Sequence, residues 1–471
     1  MAVRTNVIES INPATDEVLA RFDVMSDRDV SRALDDAARG FASWRGTTFA
    51  QRSERLHALA RVLRANTDRY ARLITLEMGK PIVEARAEIE KCAWTCDYYA
   101  EHGEEFLRDA PVATNAKRSV VAFEPLGIVL AVMPWNYPFW QVIRFAAPAL
   151  TAGNGAVLKH ASNVPQSALA LEEAIREAEF PEGLFRTLLI QGAAAERVIE
   201  DPRVRAVTLT GSSATGQRIA EIAGRTLKKA VLELGGSDPY VVLADADLDA
   251  AASTGARARN QNTGQSCIAA KRFIVVDRVA ADFERRFVEA VRSLKVGDPL
   301  DPSTNIGPLA RRDLRDALER QVRESVGMGA RIVSGGKRWG TRGNFYEPTI
   351  LVDVTDDMPV FNEETFGPVA AVRTVRDVDE AVRVANDSPY GLGASVWTRD
   401  ASLGEQLARR IEAGSVFVNG MVASDPRLPF GGVKQSGFGR ELSVFGIREF
   451  VNIKTIWIGP AAGAQQPPTA E

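Results

Sequence analysis

Cysteine and histidine are scarce in this chain. Its 471 residues include 3 cysteines and 3 histidines. So few cysteines argue against a disulfide framework and favour a reducing compartment, so we expect a cytoplasmic protein. His57, His102 and His160 have no ligand-like spacing with cysteine or aspartate. We therefore expect no metal site and no histidine-based catalytic triad.

Long apolar runs and an excess of charge of one sign are also absent. No apolar run reaches membrane-spanning length, and residues 1–11 lack the apolar core of a signal peptide. The net charge is −3, and the basic clusters alternate with acids on helical patterns. We therefore expect a globular protein that acts with neither a membrane nor a nucleic acid as partner.

The distribution of apolar residues predicts an α/β fold with more than one domain. The chain is too long for one ordinary core. Residues 26–107 carry a helical pattern with a break near Pro81. Between residues 127 and 243, short apolar strands alternate with helices, which indicates a mostly parallel, buried sheet. The alternation resumes after residue 267 and indicates a second α/β domain.

Cys267 is the candidate nucleophile. It follows a glycine-containing loop, 262–266, between a helical run and a strand-like run, where a thiol can be reached by substrate. A lone cysteine is more often a small buried hydrophobe. Asn136 and Glu233, each at the end of a predicted strand, change that interpretation. A thiol, an amide and a carboxylate are the groups that acyl chemistry through a thioester requires.

A glycine-containing turn at residues 210–216 follows a predicted strand and opens a helix. Gly211, Ser212 and Gly216 lie in this turn. Such a junction lets backbone N–H groups approach a diphosphate at the helix N-terminus. The turn is not the G-x-G-x-x-G fingerprint, and many strand–helix turns use glycine for geometry only. It indicates a dinucleotide site only in combination with the other motifs.

In combination and in this order, the motifs resemble those of the aldehyde dehydrogenase superfamily, over about residues 11–458. They are Pro134-Trp135-Asn136, Leu158-Lys159, Gly211-Ser212 with Gly216, Glu233-Leu234-Gly235-Gly236, Gly264-Gln265-Ser266-Cys267, and Glu364 with Phe366-Gly367-Pro368. One motif departs from the family pattern, because His160 replaces its proline and Ser162 replaces its glutamate.

The resemblance implies an aldehyde-dehydrogenase-like fold, with two α/β domains and a small β extension for oligomerisation. The expected divisions are residues 1–108 and 127–232 for the cofactor-binding domain, 233–420 for the catalytic domain, 109–126 and 445–458 for the extension, and 459–471 for a flexible tail. An apolar strand so near the C-terminus needs an edge to pair with, so we expect a homodimer or homotetramer.

The resemblance also implies a reaction on a small-molecule aldehyde. The Cys267 thiolate would attack the aldehyde carbon, Asn136 and the Cys267 N–H would stabilise the oxyanion, and Glu233 would activate water to hydrolyse the thioester. Lys159 would bind the adenosine ribose or a phosphate, and Glu364 the nicotinamide ribose. The expected cofactor-binding residues are Trp135, Lys159, Ser162, Gly211, Ser212, Gly216, Leu234, Glu364 and Phe366.

Residue 162 bears on the choice of dinucleotide. A glutamate there suits NAD and repels a 2′-phosphate, whereas Ser162 removes that charge and Lys159 supplies a cation. We therefore expect NADP to be preferred, with NAD as a second choice. The alternative is that Ser162 only makes room and another residue sets the preference.

Two segments, 135–144 and 423–427, resemble those of succinate-semialdehyde dehydrogenases. Arg144 lies about two helical turns past Asn136, so it could face the substrate and, with Ser424, bind the distal carboxylate of a short ω-oxo acid. The alternative for Arg144 is an interdomain salt bridge. Other functions also remain open: oxidation of another aliphatic or ω-oxo-acid aldehyde, a CoA-acylating dehydrogenase, or a non-catalytic binding protein.

Overall fold

The computed structural model describes residues 7–459 of the chain. Its strands are β1 (Val7–Ile11), β2 (Val18–Asp23), β3 (Ala110–Pro111), β4 (Arg118–Pro125), β5 (Ile128–Met133), β6 (Gly155–His160), β7 (Phe185–Thr187), β8 (Val204–Thr210), β9 (Lys229–Glu233), β10 (Asp238–Val242), β11 (Ala270–Val276), β12 (Arg331–Ser334), β13 (Thr349–Val352), β14 (Val369–Val375), β15 (Tyr390–Gly391), β16 (Gly393–Trp397), β17 (Ser415–Val418), β18 (Val433–Lys434), β19 (Gly437–Phe438) and β20 (Val451–Ile458). The tail predicted at residues 459–471 lies outside the described residues, apart from Gly459.

The helices surround these strands. They are α1 (Asp27–Trp44), α2 (Phe49–Ala65), α3 (Thr67–Met78), α4 (Ile82–Leu107), α5 (Trp140–Thr151), α6 (Pro165–Glu177), α7 (Gly192–Glu200), α8 (Ser213–Arg225), α9 (Leu248–Asn260), α10 (Asp277–Arg292), α11 (Arg312–Gly327), α12 (Pro359–Asn362), α13 (Val378–Asn386), α14 (Ala401–Arg410) and α15 (Ser443–Arg448). A short 3-10 turn, Gln261–Gly264, follows α9. Within residues 7–459, none of these helices is long and apolar enough to cross a membrane.

The first large sheet brings several predicted site residues to one edge. Its strand order is β19-β9-β8-β5-β6-β7, and all neighbours are parallel except β19. Strands such as β5 are apolar throughout because helices pack on both faces of the sheet. Asn136 follows β5, Ser162 follows β6, Ser212 follows β8, and Glu233 ends β9. The carboxyl ends of parallel strands meet at one edge, so these residues share it.

The second large sheet supports the Cys267 loop. Its strand order is β12-β13-β14-β11-β10-β16-β17, and β12 is its one antiparallel strand. Cys267 precedes β11, while Glu364 and Phe366 precede the neighbouring strand β14. The amino ends of two adjacent strands therefore bring these residues to one side. The two sheets confirm the predicted α/β fold.

A third sheet is small and exposed, in the order β20-β4-β3. β20 pairs antiparallel with β4 over its whole length. Several apolar side chains of β20 face solvent, including Ile453 and Trp457, which are 61% and 49% exposed. The assignment of cofactor-binding, catalytic and oligomerisation roles to separate parts of the chain stays a prediction.

Helix α4 forms one wall of the region around Cys267. Its apolar residues recur at spacings of three and four, and it packs against α2, α3 and α5. Cys92 and Cys96 are completely buried on this face. Both thiols therefore pack in the core of the protein. Among the described residues, no group of three or more His, Cys, Asp and Glu side chains is placed to hold a metal ion.

Several elements differ from the sequence-based expectations, including β10, β12 and β13, which are not among the predicted strands. β7 ends at Thr187, whereas the apolar pattern predicts a strand to Ile190. Helices α7 and α11 are not among the predicted helices. The stripe that α11 buries includes polar and charged side chains, such as Arg315 and Gln321, so its apolar periodicity is weak. α7 begins with glycine and three alanines, so its sequence shows little alternation of apolar and polar residues.

Candidate active site

The loop before Cys267 has an unusual backbone. Asn262, Thr263 and Gly264 all have left-handed φ angles, of 55°, 56° and 71°. Such a conformation is costly for the β-branched Thr263, and a β-carbon on Gly264 would lie 2.4 Å from the Gly367 carbonyl oxygen. The surrounding structure therefore has to hold the loop in place. Strain of this kind is concentrated at functional sites.

Three hydrogen bonds to two other segments hold this loop. The Asn262 N–H donates to Glu84 Oε2 at 2.7 Å. The Gly307 N–H donates to Thr263 Oγ1 at 3.0 Å. The Ala310 N–H donates to Gln265 Oε1 at 2.9 Å. These contacts fix the loop from α4 and from the segment that precedes α11, so the backbone at Cys267 is positioned in advance.

The Cys267 side chain is half-buried and lines a cavity of about 180 Å³. Lys271 Nζ donates to the carbonyl oxygens of Ser266 and Cys267, at 3.0 and 2.7 Å. Burial raises the pKa of the Cys267 thiol to about 11, although the charges of Arg144 and Lys271 oppose the increase. Near neutral pH the free thiol is therefore protonated, and its reaction requires removal of that proton.

The Asn136 side chain points at this loop. Its Nδ2 donates to the Gln265 carbonyl oxygen at 3.1 Å, and the backbone carbonyl oxygen of Asn136 accepts from Asn262 Nδ2 at 2.8 Å. An amide nitrogen carries two hydrogens, so one N–H of Asn136 remains for another acceptor. The side chain is buried, and its Oδ1 has no hydrogen-bond partner among residues 7–459. This arrangement suits a donor to an oxyanion formed at Cys267.

Glu233 is a buried carboxyl group without a partner. It is 2% exposed, and neither of its oxygens has a hydrogen bond within the part of the chain that the structure describes. Burial raises its pKa well above the usual range, and the nearby Glu441 carboxylate raises it further. Arg144 and Arg440 act in the opposite direction. An unpaired buried carboxyl group is costly for the fold, so a chemical role accounts for it better than a structural one.

Arg144 and Ser424 both line the Cys267 cavity, as their predicted role requires. The guanidinium of Arg144, however, forms a buried ion pair with Glu441. It also donates to Thr210 Oγ1 at 3.3 Å and lies 4.6 Å from the centre of the Phe430 ring. This pairing favours the salt-bridge alternative for Arg144, and its role toward a substrate stays a prediction.

Lys91 also lines the cavity, and the sequence analysis missed it. It lies on α4, and its ammonium donates to Ser424 Oγ at 2.7 Å. The available signal was the position of this lysine on α4, one residue before the buried Cys92. A polar residue on the core face of a helix needs a reason, and the cavity provides one.

The turn between β8 and α8 has the geometry of an anion site. Ser212 caps α8, where its Oγ accepts from the Thr215 N–H at 3.4 Å. The first N–H groups of a helix have no partners within the helix and favour negative charge. A β-carbon on Gly216 would lie 2.5 Å from the Leu234 side chain, so glycine lets α8 pack closely on the residue after β9. Gly211 leads from β8 into this turn.

A polar groove of about 450 Å³ lies at the end of β6. Lys159 and Ser162 line it, and Lys159 forms no ion pair with any described residue. Burial lowers the pKa of Lys159. Glu9, paired with Arg21, and Arg311, paired with Asp313, also line the groove. Arg311 comes from a distant segment and was not predicted.

His160 has a structural role next to this groove. Its Nε2 donates to the Pro138 carbonyl oxygen at 2.9 Å, and its Nδ1 accepts from the Ala161 N–H at 2.9 Å. Burial lowers its pKa to about 4, so the ring is neutral at physiological pH. His160 thus ties the end of β6 to the loop that carries Asn136 and adds no charge.

Glu364 is connected to the Cys267 loop through Lys271, and Phe366 packs on Trp135, the residue before Asn136. Glu364 Oε1 accepts from the Gly236 N–H at 3.0 Å and lies 3.7 Å from Lys271 Nζ. The Phe366 and Trp135 rings meet edge to face, with centroids 5.6 Å apart. A dinucleotide is long and carries a diphosphate, so the helix terminus, the cation and the carboxylate together fit such a cofactor.

Comparisons with known proteins agree with this geometry. Residues 2–456 match the aldehyde dehydrogenase family. The chain is 52% identical to a probable succinate-semialdehyde dehydrogenase [NADP(+)] of Synechocystis sp., covering 96% of this chain and 99% of that protein. It is also 52% identical to a succinate-semialdehyde dehydrogenase [NADP(+)] of Mycobacterium avium, covering 96% and 97%.

A solved structure is similar over nearly the whole chain. It is the succinic semialdehyde dehydrogenase of Streptococcus pyogenes in complex with NADP+. The two chains are 40% identical, and the TM-score is 0.94. The match covers 96% of this chain and 100% of the other. At this identity and coverage the likeness extends beyond the general fold.

Proposed function

Because this chain belongs to the aldehyde dehydrogenase family, we propose that it oxidises succinate semialdehyde to succinate with NADP as the preferred hydride acceptor. The observation that supports this substrate most directly is the cavity at Cys267. It places the thiol with Ser424 and two cationic side chains, Arg144 and Lys91. A thiol can add to the carbon of an aldehyde. Cationic side chains and a hydroxyl group can donate hydrogen bonds to a carboxylate.

The first half of the reaction takes place on Cys267. The thiol loses its proton to solvent, its sulfur adds to the aldehyde carbon so that a C–S bond forms, and the carbonyl π electrons move to oxygen. The Cys267 N–H and the free N–H of the Asn136 amide donate to this oxyanion. Bound NADP supplies the acceptor for the hydride that leaves the carbon. The C=O bond re-forms, and the substrate is held as a thioester.

The second half requires a base. Glu233 takes a proton from a water molecule, the hydroxide adds to the thioester carbon, and the C–S bond breaks to release the acid and the thiolate. Glu233 must be ionised for this step. Burial and Glu441 oppose its ionisation, whereas the positive charges of Arg144 and Arg440 favour it. The positive charges of Arg144 and Arg440 therefore assist the loss of the proton that Glu233 must undergo before it acts as a base.

The residues that would hold the cofactor follow the edge of the first sheet. Lys159 and Ser162 would bind the adenosine ribose and its phosphate, and the α8 terminus at Gly211 and Ser212 would bind the diphosphate. Glu364 would bind the nicotinamide ribose. The remaining proposed contacts are Trp135, Gly216, Leu234 and Phe366.

Steady-state kinetics test the proposal. Succinate semialdehyde, glutarate semialdehyde, butanal and benzaldehyde are each assayed with NADP and with NAD, with and without CoA. We expect the highest kcat/KM for succinate semialdehyde with NADP and no effect of CoA. Formation of an acyl-CoA would identify a CoA-acylating dehydrogenase instead. Absence of NADPH and NADH with every aldehyde would favour a non-catalytic protein.

Ser162→Glu tests the preference for NADP. The new carboxylate would face the 2′-phosphate, and like charges in contact cost several kcal/mol. We expect the NADP/NAD ratio of kcat/KM to fall by about ten- to a hundred-fold, since each factor of ten corresponds to about 1.4 kcal/mol. Ser162→Ala is the matched control, because it makes room without adding charge and should change the ratio much less. An unchanged ratio in Ser162→Glu would mean that another residue, such as Arg311, sets the preference.

We propose further that the protein is a homodimer or homotetramer assembled through β20. β20 pairs with β4 on one side and is the border strand of its sheet. Within the described residues, its other side has no partner strand. Ile453, Ile456, Trp457 and Ile458 are each at least 39% exposed. An unpaired edge with exposed apolar side chains is a site for association, and a second copy of the strand can cover it.

Trp457→Asp tests this assembly. A charge in an apolar interface carries a large desolvation penalty, so we expect the variant to sediment as a smaller species than the wild type at equal concentration. Leu227→Asp is the matched control, because Leu227 is 95% exposed and lies outside the β20 sheet. Unchanged sedimentation of Trp457→Asp would place the interface elsewhere.

The three cysteines bear on location. All are free, and two are fully buried in α4. A chain with a free nucleophilic thiol functions best where thiols stay reduced, so we propose the cytoplasm.

A further inference from the structure

The peptide group between Ser266 and Cys267 carries the backbone donor for the oxyanion. Its N–H is that of Cys267, which donates to no acceptor within residues 7–459. Its C=O is the Ser266 carbonyl. A trans peptide group is planar, and its C=O and N–H point in opposite directions. Whatever fixes the direction of the Ser266 carbonyl therefore also fixes the direction of the N–H that has to meet the substrate oxygen.

The Lys271 side chain holds that carbonyl. Its Nζ donates to the Ser266 carbonyl oxygen at 3.0 Å and to the Cys267 carbonyl oxygen at 2.7 Å. Lys271 is completely buried at the second residue of β11, and it does not line the cavity, whereas Ser266 and Cys267 do. The ammonium therefore draws both carbonyl groups to the side of the loop away from the cavity, which leaves the Cys267 N–H directed toward it.

The Ser266 carbonyl has one other donor, the Ala269 N–H, at 3.2 Å. That contact is a neutral hydrogen bond within a short turn. A hydrogen bond from an ammonium is charge-assisted and roughly twice as strong. It also polarises the peptide group, because hydrogen bonds in a chain strengthen one another, and a polarised N–H is a better donor. Lys271 therefore acts on the direction and on the strength of the Cys267 N–H.

The charge of Lys271 is compensated inside the protein. Glu364 Oε1 lies 3.7 Å from Nζ, too far for a hydrogen bond. Burial lowers the pKa of Lys271 and Arg259 lowers it further, while the carboxylates of Glu364 and Asp238 oppose the decrease. The contacts of Nζ within residues 7–459 are two carbonyl oxygens and a carboxylate, all acceptors, which matches the three donors of an ammonium. The carboxylates thus balance the charge, and its hydrogen bonds go to the carbonyl groups.

We infer that Lys271 is a positioning residue for the reaction, which directs the Cys267 N–H toward the oxyanion and polarises it through the Ser266 carbonyl. The inference deepens the proposed function and rests on it, because oxidation of the aldehyde is the reaction in which this oxyanion forms. Lys271 acts through the peptide group and not on the substrate itself.

Two reagents for the Cys267 thiol test the inference without aldehyde or cofactor. With p-nitrophenyl acetate, the thiolate adds to the ester carbon, an oxyanion forms, and its collapse expels p-nitrophenolate and leaves an acetyl thioester. With iodoacetamide, the same thiolate displaces iodide directly, and no oxyanion forms. Both reactions require the thiolate, so its fraction cancels in the ratio of the acylation to the alkylation rate constant. That ratio reports the oxyanion donors.

Lys271→Met should lower this ratio by about ten- to a hundred-fold, the usual effect of losing a hydrogen bond to a charged group. Methionine has a similar length but no donor, so the Ser266 carbonyl keeps only its bond from Ala269. Outright loss of an oxyanion donor costs about 10²–10³-fold, and here the donor remains but is held less firmly. The alkylation rate constant of the thiolate should stay close to that of the wild type. Lys271→Arg should restore much of the ratio, because arginine keeps the charge and the donors.

Lys228→Met is the matched control. Lys228 also donates to two backbone carbonyl oxygens, those of Ile199 and Asp201, but it precedes β9 and does not line the cavity. Its replacement should leave the ratio unchanged. The melting temperature and the dissociation constant of NADP show whether each variant is folded. If Lys271→Met does not fold, Lys271→Gln replaces it, with a smaller decrease expected because the amide keeps N–H donors and loses only the charge.

This inference and the proposed function can fail separately. If the wild type forms no NADPH with any aldehyde, the proposed function fails, while a lower ratio in Lys271→Met still assigns Lys271 to the peptide group. If the wild type oxidises succinate semialdehyde, its first turnover should slow in Lys271→Met by the same factor as the ratio, with little change in KM. An unchanged ratio would overturn the inference. With both rate constants at wild-type values, it would mean that Ala269 suffices to orient the peptide group. With both reduced together, it would assign Lys271 to the stability of the loop.

Discussion

Replacing Cys267 by alanine should abolish NADPH formation with every aldehyde while NADP binding stays close to that of the wild type. The Cys267 sulfur is the atom that forms the covalent bond, and the cofactor groove at Lys159 and Ser162 is made by other elements. Removing a catalytic nucleophile typically lowers kcat by about 10⁴-fold or more. The measurements are the initial rate of NADPH formation and the dissociation constant of NADP from fluorescence titration.

Cys96→Ala is the matched control for this experiment. Cys96 is also a free thiol, but it is completely buried in α4 and away from the cavity. Its replacement leaves a small void, so we expect a modest loss of stability, on the order of 1 kcal/mol, with activity retained. Turnover by Cys267→Ala at a rate near that of the wild type would contradict covalent catalysis. Loss of activity in both variants would point to a general effect on folding.

The features that sequence could predict are those that local patterns determine. β5 and β8 are short apolar runs bounded by turns, and α9 begins at a capping aspartate, so their positions follow from nearby residues. α11 was missed because its buried side includes Arg315 and Gln321, which a hydrophobic period does not detect. The α/β class could therefore be predicted, while the full set of helices could not.

Contacts between distant residues explain what the sequence could not show. Lys91 meets Ser424 across 333 positions of the chain, and no local spacing indicates that contact. For Arg144, helical spacing predicted a position at the cavity, and the structure places it there. The spacing did not indicate that Arg144 would form an ion pair with Glu441. Position can follow from the period of a helix, but the partner of a charged group depends on the tertiary structure.

The backbone of the Cys267 loop is a second feature hidden from sequence. Asn262 and Thr263 adopt left-handed conformations, which asparagine tolerates and β-branched threonine disfavours. The motif marked the loop as functional through its resemblance to a family. The structure explains how the loop keeps this conformation, because hydrogen bonds with Glu84 and Gly307 hold a backbone that the chain would not adopt alone.

Replacing Glu233 by glutamine should produce a single burst of NADPH, equal to one per active site, followed by very slow turnover. Glutamine has nearly the same shape but accepts no proton from water, so the thioester forms and then accumulates. Loss of a general base typically lowers the rate by about 10²–10⁴-fold. Rapid-mixing absorbance at the NADPH band gives the burst, and intact-protein mass measures the acyl group on Cys267. Glu405→Gln, at an exposed carboxylate on α14, is the control and should show neither effect.

The pH profile distinguishes a base from a merely structural carboxyl group. Burial and Glu441 raise the pKa of Glu233, so its ionised form becomes complete only above that raised value. When hydrolysis of the thioester limits turnover, kcat of the wild type should increase with pH until Glu233 is ionised. The residual kcat of Glu233→Gln should lack this increase, and added hydroxylamine should restore turnover by cleaving the thioester without a protein base. A variant that shows wild-type turnover with no burst would remove Glu233 from the hydrolysis step.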